Sequence, residues 1–549
     1  MLKQYQIPSK KGKEATMVKN QYGERMIKVS FPFEYAIVFK IRELVGAKYI
    51  PDKKIWVMPL FVDTLKKLQA MKFTLDSKLL KFMNESHDKT SKFITSKIDG
   101  LKGTPFQYQY IGIDFIEQNN GRALLADEMG LGKTLQALGW CQLHRDRVPV
   151  LIVTPASLKL NWTLEIDRWL PDANYEILSG KKTYKPKADF LIINYDILPS
   201  WIDVLKDLDI QVLITDECHY YKNNTSKRTK AVKRIAKTIP YVIALSGTPI
   251  VNRPIEAYNA INIINPNLFP SFINYTRRYC NAKYNGYGWD FNGASNTQEL
   301  HQTLINTIMI RRLKKDVLKD LPDKLYSFIP LELSTEGKSE YQMAENSFID
   351  YIHESYGAQR ALKAVNAEVL VQYGELKKLA VKGALHQSIE WIRNFLEIDG
   401  KLVVFAIHKF VIDELMKTFG DKAVKIDGSV SIAERQKAID KFQSDDNCRL
   451  FVGNIKAAGV GITLTASSNV AFLELPWTPG ELKQAIDRVH RIGQKNCVNV
   501  HYLFAINTIM DKIARLIDQK QKIIDSVLDG KELHEQNDML YEILKQYSI

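Results

Sequence analysis

Residues 122–143 read as a short apolar run, RALLA, then a glycine-rich loop, DEMGLGKT, then a helical stretch, TLQALGWCQL. A strand that feeds a glycine loop, a Lys-Thr pair and a helix constrains this chain more than any other feature. That order builds a cradle for phosphate at a helix N-terminus. Gly130 and Gly132 let the backbone curl so that several N–H groups point inward. Lys133 is then placed to reach the β- and γ-phosphates of a nucleotide, and the Thr134 hydroxyl to hold Mg²⁺. The first glycine of the strict G-x-x-x-x-G-K-[ST] spacing is Asp127 here. A glycine turn without a ligand is the bland alternative, and the strand–loop–helix context disfavours it.

The surrounding pattern fits such a loop. From residue 104, apolar runs of four to six residues alternate with helical stretches: RALLA, VLIVT (150–154), FLIIN (190–194), VLIT (212–215) and YVIAL (241–245). Short buried strands separated by helices imply a parallel sheet. The alternation lapses over 265–375 and resumes at LVVFAIH (402–408), AVKID (423–427), RLFVGN (449–454), NVAFLEL (469–475) and VNVHYLFA (498–505). The expected fold class is α/β, with two parallel-sheet lobes, helical insertions and a small α+β unit in front. The expected divisions are 1–76 for that unit, 77–103 for a linker and 104–264 for the first lobe. Insertions follow at 265–374, the second lobe at 375–530 and a helical tail at 531–549. In the first unit, KYIPDKKIWVMPL (48–60) carries turn residues Pro51 and Asp52 before a strand around Trp56, which predicts a hairpin.

Charge and cysteines narrow the setting. Lys and Arg number 76 against 62 Asp and Glu, a net charge of +14, which favours polyanionic partners. The five cysteines lie far apart with no CxxC pair, so neither a disulfide framework nor a structural zinc is expected. No apolar run approaches the roughly 20 residues of a membrane helix, and the N-terminus lacks a signal-peptide core. A cytoplasmic protein is expected.

Three further motifs carry chemistry. VLITDECHY (212–220) ends a buried strand on two carboxylates. Asp216 suits a Mg²⁺ ligand, directly or through water, and Glu217 suits the group that orients and deprotonates an attacking water. His219 reads equally as a relay to a second site or as a histidine satisfied locally. ALSGTPIVNRP (244–254) puts Ser246, Gly247 and Thr248 at a strand end, where lobes couple. QAIDRVHRIGQ (484–494) spaces Arg488 and Arg491 one helical turn apart. On a second lobe they can reach across a cleft to a γ-phosphate and stabilise charge in the transition state. Just upstream, KAAGVGITLTA (456–466) is a glycine-rich strand-to-helix turn, with Gly461 a candidate phosphate contact.

Taken in order, these motifs resemble the SWI/SNF ATPase family of superfamily-two helicases over residues 104–530. YQYIGIDF (108–115) is similar to the family's glutamine motif, so the resemblance assigns adenine reading to Gln109. DEMGLGKT is the family's own form of the phosphate loop, which accounts for Asp127. TPASLKLNW (154–162), INYDIL (193–198), RRLKKDVLKDLP (311–322), VVFAIHK (403–409) and IDGSVSIAER (426–435) complete the series. The resemblance implies RecA-like lobes, ATP and Mg²⁺ as cofactors, and movement along duplex DNA. It also implies a DNA-associated monomer, in the nucleoid if the host is a bacterium or its phage. Its DNA contacts fall by motif on Ser157 and Lys159 in the first lobe and on His408, Lys409 and Thr463 in the second. Trp477 would face the cleft or brace the arginine helix. SKRTKAVKRIAK (226–237) reads at least as well as a solvated helix face as a DNA contact. ELPWTPGELKQAIDRVHRIGQ is similar to the annealing-helicase branch, and residues 48–60 resemble its HARP-like domain, which implies contact with branched DNA such as replication forks. A core role for Trp56 is the alternative. A strand-separating DNA or RNA helicase and an ATP-gated DNA-binding scaffold are the competing functions. A replication or repair protein partner is left open.

Overall fold

The structure, a computed structural model, describes residues 12–19, 25–42, 44, 47–60, 62–88, 97–284, 288–318, 320–357, 362–398, 400–458 and 462–531. The first lobe is a seven-stranded sheet. Its order is Met309–Ile310, Arg122–Leu125, Tyr241–Leu245, Val212–Asp216, Val150–Thr154, Phe190–Asn194 and Tyr175–Ile177. Every pairing in it is parallel. VLIVT and FLIIN are buried at every residue, as central strands covered on both faces must be. Successive side chains point to opposite faces. Leu151, Val153 and Leu213 therefore enter one core layer, while Ile152, Ile214 and Ile243 enter the other.

The second lobe repeats the plan with six strands: Lys324–Leu331, Val498–Ala505, Asn469–Phe472, Leu402–Ala406, Leu450–Asn454 and Ala423–Ile426. These pairings are also all parallel. The stretch 265–374 is more than an insertion. It supplies an edge strand to each sheet, Met309–Ile310 to the first and Lys324–Leu331 to the second. Met309–Ile310 is too short to register as a run, and Lys324–Leu331 begins with lysine and contains Pro330, which an edge strand tolerates. Two long helices, Thr335–Gly357 and Leu362–Ile398, follow it.

The helix Ile509–Leu528 spans both lobes. Ile513 and Ile517 lie in the second-lobe core, whereas Ile524, Val527 and Leu528 lie in the first-lobe core. Its far end is fixed by Ser526 Oγ to Thr297 Oγ1 at 2.7 Å and by a buried ion pair between Asp529 and Arg311. Residues 532–549, most of the expected tail, lie outside the described residues.

The N-terminal unit is a mixed five-stranded sheet with the predicted hairpin, Lys48–Ile50 and Ile55–Pro59 joined by the turn Pro51–Lys53. Trp56 is 9% exposed in its core, tilted against Tyr49 at 5.2 Å. Within the expected linker, Ser77–Asp88 is a helix. Among the described residues no helix is long and apolar enough to cross a membrane.

Candidate active site

Ligand sites of parallel sheets lie outside the carboxyl ends of the strands, and the sequence motifs fall there. The loop 126–132 leaves the strand Arg122–Leu125 and enters the helix Lys133–Leu143. Gly130 and Gly132 have φ of 82° and 72°, the left-handed region that favours glycine. A Cβ at position 132 would also collide with the Gln109 amide. Lys133 Nζ donates to the Asp127 and Glu128 carbonyls at 2.8 and 3.3 Å. Burial lowers its pKa, opposed by the charges of Glu217, Asp127 and Asp216.

A cavity of about 170 Å³ brings Gly130, Gly132, Lys133 and Thr134 together with Asp216, Glu217, Arg488 and Arg491. Trp162 Nε1 donates to Asp216 Oδ2 at 2.9 Å, and the Thr154 hydroxyl donates to the same oxygen at 3.2 Å. Burial, then the charge of Glu217, raises Asp216 above the usual carboxylate range. Burial pushes Glu217 up as well, but the His219 hydrogen bond and charge, Lys133 and the Ser246 hydroxyl outweigh it and hold Glu217 low. The two acids are thereby pushed apart, Asp216 upward and Glu217 downward, a separation that suits distinct roles. Glu217 sits at φ 51°, a left-handed conformation rare outside glycine and asparagine.

A hydrogen-bonded relay leaves Glu217 for the other lobe. Ser246 Oγ donates to Glu217 Oε2 at 2.9 Å, and His219 Nδ1 lies 3.2 Å from that oxygen and 3.3 Å from Ser246 Oγ. Thr248 N–H donates to Ser246 Oγ at 3.1 Å, and Gln484 Nε2 of the second lobe donates to Thr248 Oγ1 at 2.9 Å. Gly247 has no room for a side chain, since a Cβ there would collide with Met129. All four coupling candidates thus stand in one connected group.

The arginines arrive from the second lobe, but not on the helix face their spacing suggested: the helix Pro479–Ile486 ends before Arg488, and both arginines stand in the turns that follow it. Arg488 is 7% exposed, donates through Nε to the Gln484 carbonyl at 3.2 Å, and approaches Met129 Sδ at 3.8 Å. Burial, then the neighbouring Arg491, lowers its pKa to about 10, so it remains a cation at neutral pH. Arg491 Nη1 donates to Thr463 Oγ1 at 2.8 Å and to the Ile462 carbonyl at 3.3 Å.

Several candidates stand elsewhere. The Asp127 carboxylate does not line the cavity. It is fully buried against Arg312, whose Nε donates to Oδ1 at 2.9 Å, and it accepts from Gln136 Nε2 at 3.0 Å. Its backbone carbonyl alone touches the phosphate-loop lysine. Gln109 also lies outside the cavity lining. It accepts from Phe106 N–H at 2.8 Å and donates to the Leu131 carbonyl at 3.3 Å. Thr463 is drawn to Arg491 because its hydroxyl is the nearest neutral acceptor on the turn. Lys159 bends back to the Leu178 carbonyl at 3.3 Å, beside half-buried Ser157. His408 pairs with buried Glu474 at 2.7 Å, and Lys409 is exposed at the start of the next helix. Trp477 packs on the second-lobe core with Lys377 over its ring at 5.7 Å. Gly461 lies outside the described residues.

Sequence reading missed Trp162, Glu165 and Gln484. The first two lie within and just beyond the quoted stretch PASLKLNW, where i, i+3 spacing puts both at the cavity. Gln484 opens the quoted arginine motif. Among the described residues no group of three or more His, Cys, Asp or Glu could hold a metal ion. Thr134 and Asp216 instead fit a Mg²⁺ that keeps waters and takes phosphate oxygens.

Because Asp216 is held above its usual range, its proton leaves only as pH rises through that raised value. Activity that needs ionised Asp216 should therefore fall on the acid side at a pH above the ordinary carboxylate range. Trp162→Phe removes a hydrogen bond that lowers Asp216 and should move that limb further upward. A pH profile of kcat/KM checks this; identical acid limbs for the two proteins would contradict it.

Comparison with known proteins agrees with the motif order. A model of the SNF2-related domain matches residues 75–382, and one of the helicase conserved C-terminal domain matches 387–493. The human protein named DNA annealing helicase and endonuclease ZRANB3 is 35% identical over 79% of this chain and 41% of its own. The Caenorhabditis elegans homolog of SWI/SNF-related matrix-associated actin-dependent regulator of chromatin subfamily A-like protein 1 is 33% identical over 93% of this chain and 76% of its own. A solved Sulfolobus solfataricus SWI2/SNF2 ATPase core in complex with dsDNA is 24% identical, with a TM-score of 0.40, over 82% of this chain and 99% of that one. The chain spans less than half of the human relative and about three quarters of the worm one. On its family match and its ordered motifs, the chain belongs to the SNF2-related family.

Proposed function

We propose that the chain is an ATP-dependent translocase on double-stranded DNA that remodels or anneals branched DNA such as replication forks. The observation that carries the ATPase reading is the convergence of a phosphate loop and two carboxylates from one sheet with two arginines from the other around a single cavity. Lys133 and the inward N–H groups bind the phosphates. Glu217 takes the proton of the attacking water, and Arg488 and Arg491 stabilise charge on the transferring phosphoryl group. Thr134 and Asp216 would hold Mg²⁺, which would supply further neutralisation of phosphate charge. Gln109, at the loop's edge, is the proposed adenine reader. The relay from Glu217 to Gln484 lets the state of the phosphate reach the lobe interface, so hydrolysis shifts one lobe on the other.

Charge distribution supports a DNA track. Residues 1–103 hold 21 Lys and Arg against 10 Asp and Glu, so this fifth of the chain carries +11 of the net +14. Phosphate contacts position a protein without reading sequence. Ser157, Lys159, His408 and Lys409 follow strand ends on the two lobes and are the proposed lobe contacts. Affinity for duplex DNA should then fall log-linearly with salt, with a slope of about −0.9 per phosphate contact; a flat response would contradict phosphate tracking. The relatives named as annealing helicases support the branched-DNA part. A duplex with a central bubble, held open by a single-strand-binding protein, tests it. The full chain with ATP should rewind the bubble, and Lys133→Ala should not. Displacement of a strand from a tailed duplex without rewinding would identify a strand-separating helicase instead.

A further inference from the structure

The segment RRLKKD (311–316) crosses from the last strand of the first sheet, Met309–Ile310, to the first strand of the second, Lys324–Leu331. It is fastened at both ends. On the first lobe, Arg312 holds Asp127, and Arg311 Nη1 donates to the Ala126 carbonyl at 2.8 Å and the Gly247 carbonyl at 3.3 Å. On the second, Lys314 Nζ donates to Asp487 Oδ1 at 2.8 Å and to the His490 carbonyl. Asp487 directly precedes Arg488, and His490 directly precedes Arg491. The Lys314 backbone N–H donates to Glu128 Oε2 at 2.8 Å, and Glu128 Oε1 lies 3.1 Å from Lys483 Nζ, on the helix Pro479–Ile486 that leads into the arginines. Glu128 is the second residue of DEMGLGKT. Glu128 and Asp487 thus sit among three lysines, Lys483 against Glu128, Lys314 between the two carboxylates and Lys324 close enough to act on both. The other oxygen of Asp487 has no hydrogen-bond partner among the described residues. A Cβ on Gly130 would stand 3.3 Å from Arg491 Cβ and 3.7 Å from Lys314 Cε, so phosphate loop, crossing segment and the turn that carries the arginines meet at one point.

We infer that this crossing segment sets the arginines against the phosphate loop, with Lys314 and Glu128 acting as positioning residues for Arg488 and Arg491. The inference rests on the nucleotide-site reading above. A buried pair with one partner removed leaves an uncompensated charge, so its surroundings must rearrange. Here the group that would rearrange is the turn 487–491 after the helix Pro479–Ile486, which carries both guanidinium groups. Loss of Lys314 should then leave the loop, Lys133 and Thr134 able to bind nucleotide, while the interaction made in the transition state weakens. That pattern is a fall in kcat with little change in KM, provided nucleotide binding equilibrates before chemistry.

The test compares the full chain with Lys314→Met, Asp487→Asn, the pair of changes together, and Lys483→Met, in duplex-stimulated ATP hydrolysis with melting temperatures measured alongside. Lys483 is partly exposed, so its variant keeps the test open if the buried changes impair folding. Lys314→Met should lower kcat about tenfold or more with KM for ATP within about threefold. The double variant should lose no more than the worse single one, because the two act through each other. Lys483→Met should lower kcat about threefold. Folded variants with unchanged kcat, effects that multiply in the double variant, or a loss confined to KM would overturn the inference while wild-type turnover keeps the ATPase reading intact. Absence of wild-type turnover would overturn that reading itself, and this inference with it.

Discussion

Lys133→Ala is expected to reduce ATP turnover by about 10³-fold or more while leaving duplex DNA binding within a few-fold of wild type. The ammonium of Lys133 lies among Glu217, Asp127 and Asp216, and it is the phosphate-facing cation of the loop. Its removal takes away transition-state charge stabilisation, for which losing even one donor typically costs about 10²–10³ in rate. It also removes a cation that lowers Asp216, so Asp216 holds its proton to higher pH and Mg²⁺ binding weakens. Steady-state hydrolysis and fluorescence anisotropy on labelled duplex separate the two effects. Joint loss of both, with a lowered melting temperature, would mark a folding defect.

Arg488→Ala is expected to lower kcat by about 10³–10⁵, the span found for arginines that stabilise a transferring phosphoryl group, with a much smaller change in KM. Arg488 is fixed by the Gln484 carbonyl and touches Met129 of the phosphate loop. It is therefore pre-aimed, and little reorganisation accompanies the reaction. Arg488→Lys should recover only a small part of the loss, because a point charge does not reproduce the planar fork. Arg491→Ala should follow the same pattern, and Thr463→Val should give a weaker version by releasing the hydroxyl that steadies Arg491. Single-turnover hydrolysis measures all four. Equal effects on kcat and on nucleotide affinity would place the arginines in ground-state binding.

Much of this site was legible because its residues sit next to strands that announce themselves. VLIVT, FLIIN and VLIT are continuous apolar runs, and the chemistry follows each at the carboxyl end. Lys133, Asp216, Glu217, Arg488 and Arg491 could thus be placed from local pattern alone, and the structure gathers them in one cavity. What stayed hidden depends on distant partners. Asp127 lies inside the phosphate loop, yet its carboxylate turns to Arg312, 185 residues away. Thr463, which the motif assigns to DNA, instead accepts from Arg491, 28 residues away. The strand Lys324–Leu331 looks polar because it is an edge, and Met309–Ile310 is two residues long, so periodicity could not find either. Trp56 in the N-terminal unit was open between core and contact, and its burial places it in the core.

If the cavity between the two sheets is the motor's ATP site, it hydrolyses ATP in response to duplex DNA. The most direct measurement is steady-state hydrolysis by the full chain with no nucleic acid, single-stranded DNA, blunt duplex, a model fork and duplex RNA, with Lys133→Ala as the blank. Turnover should be low without nucleic acid, strongly stimulated by duplex and stimulated most by the fork. Stimulation by single strands or RNA only, or no turnover on any of them, would contradict duplex-driven hydrolysis at this cavity.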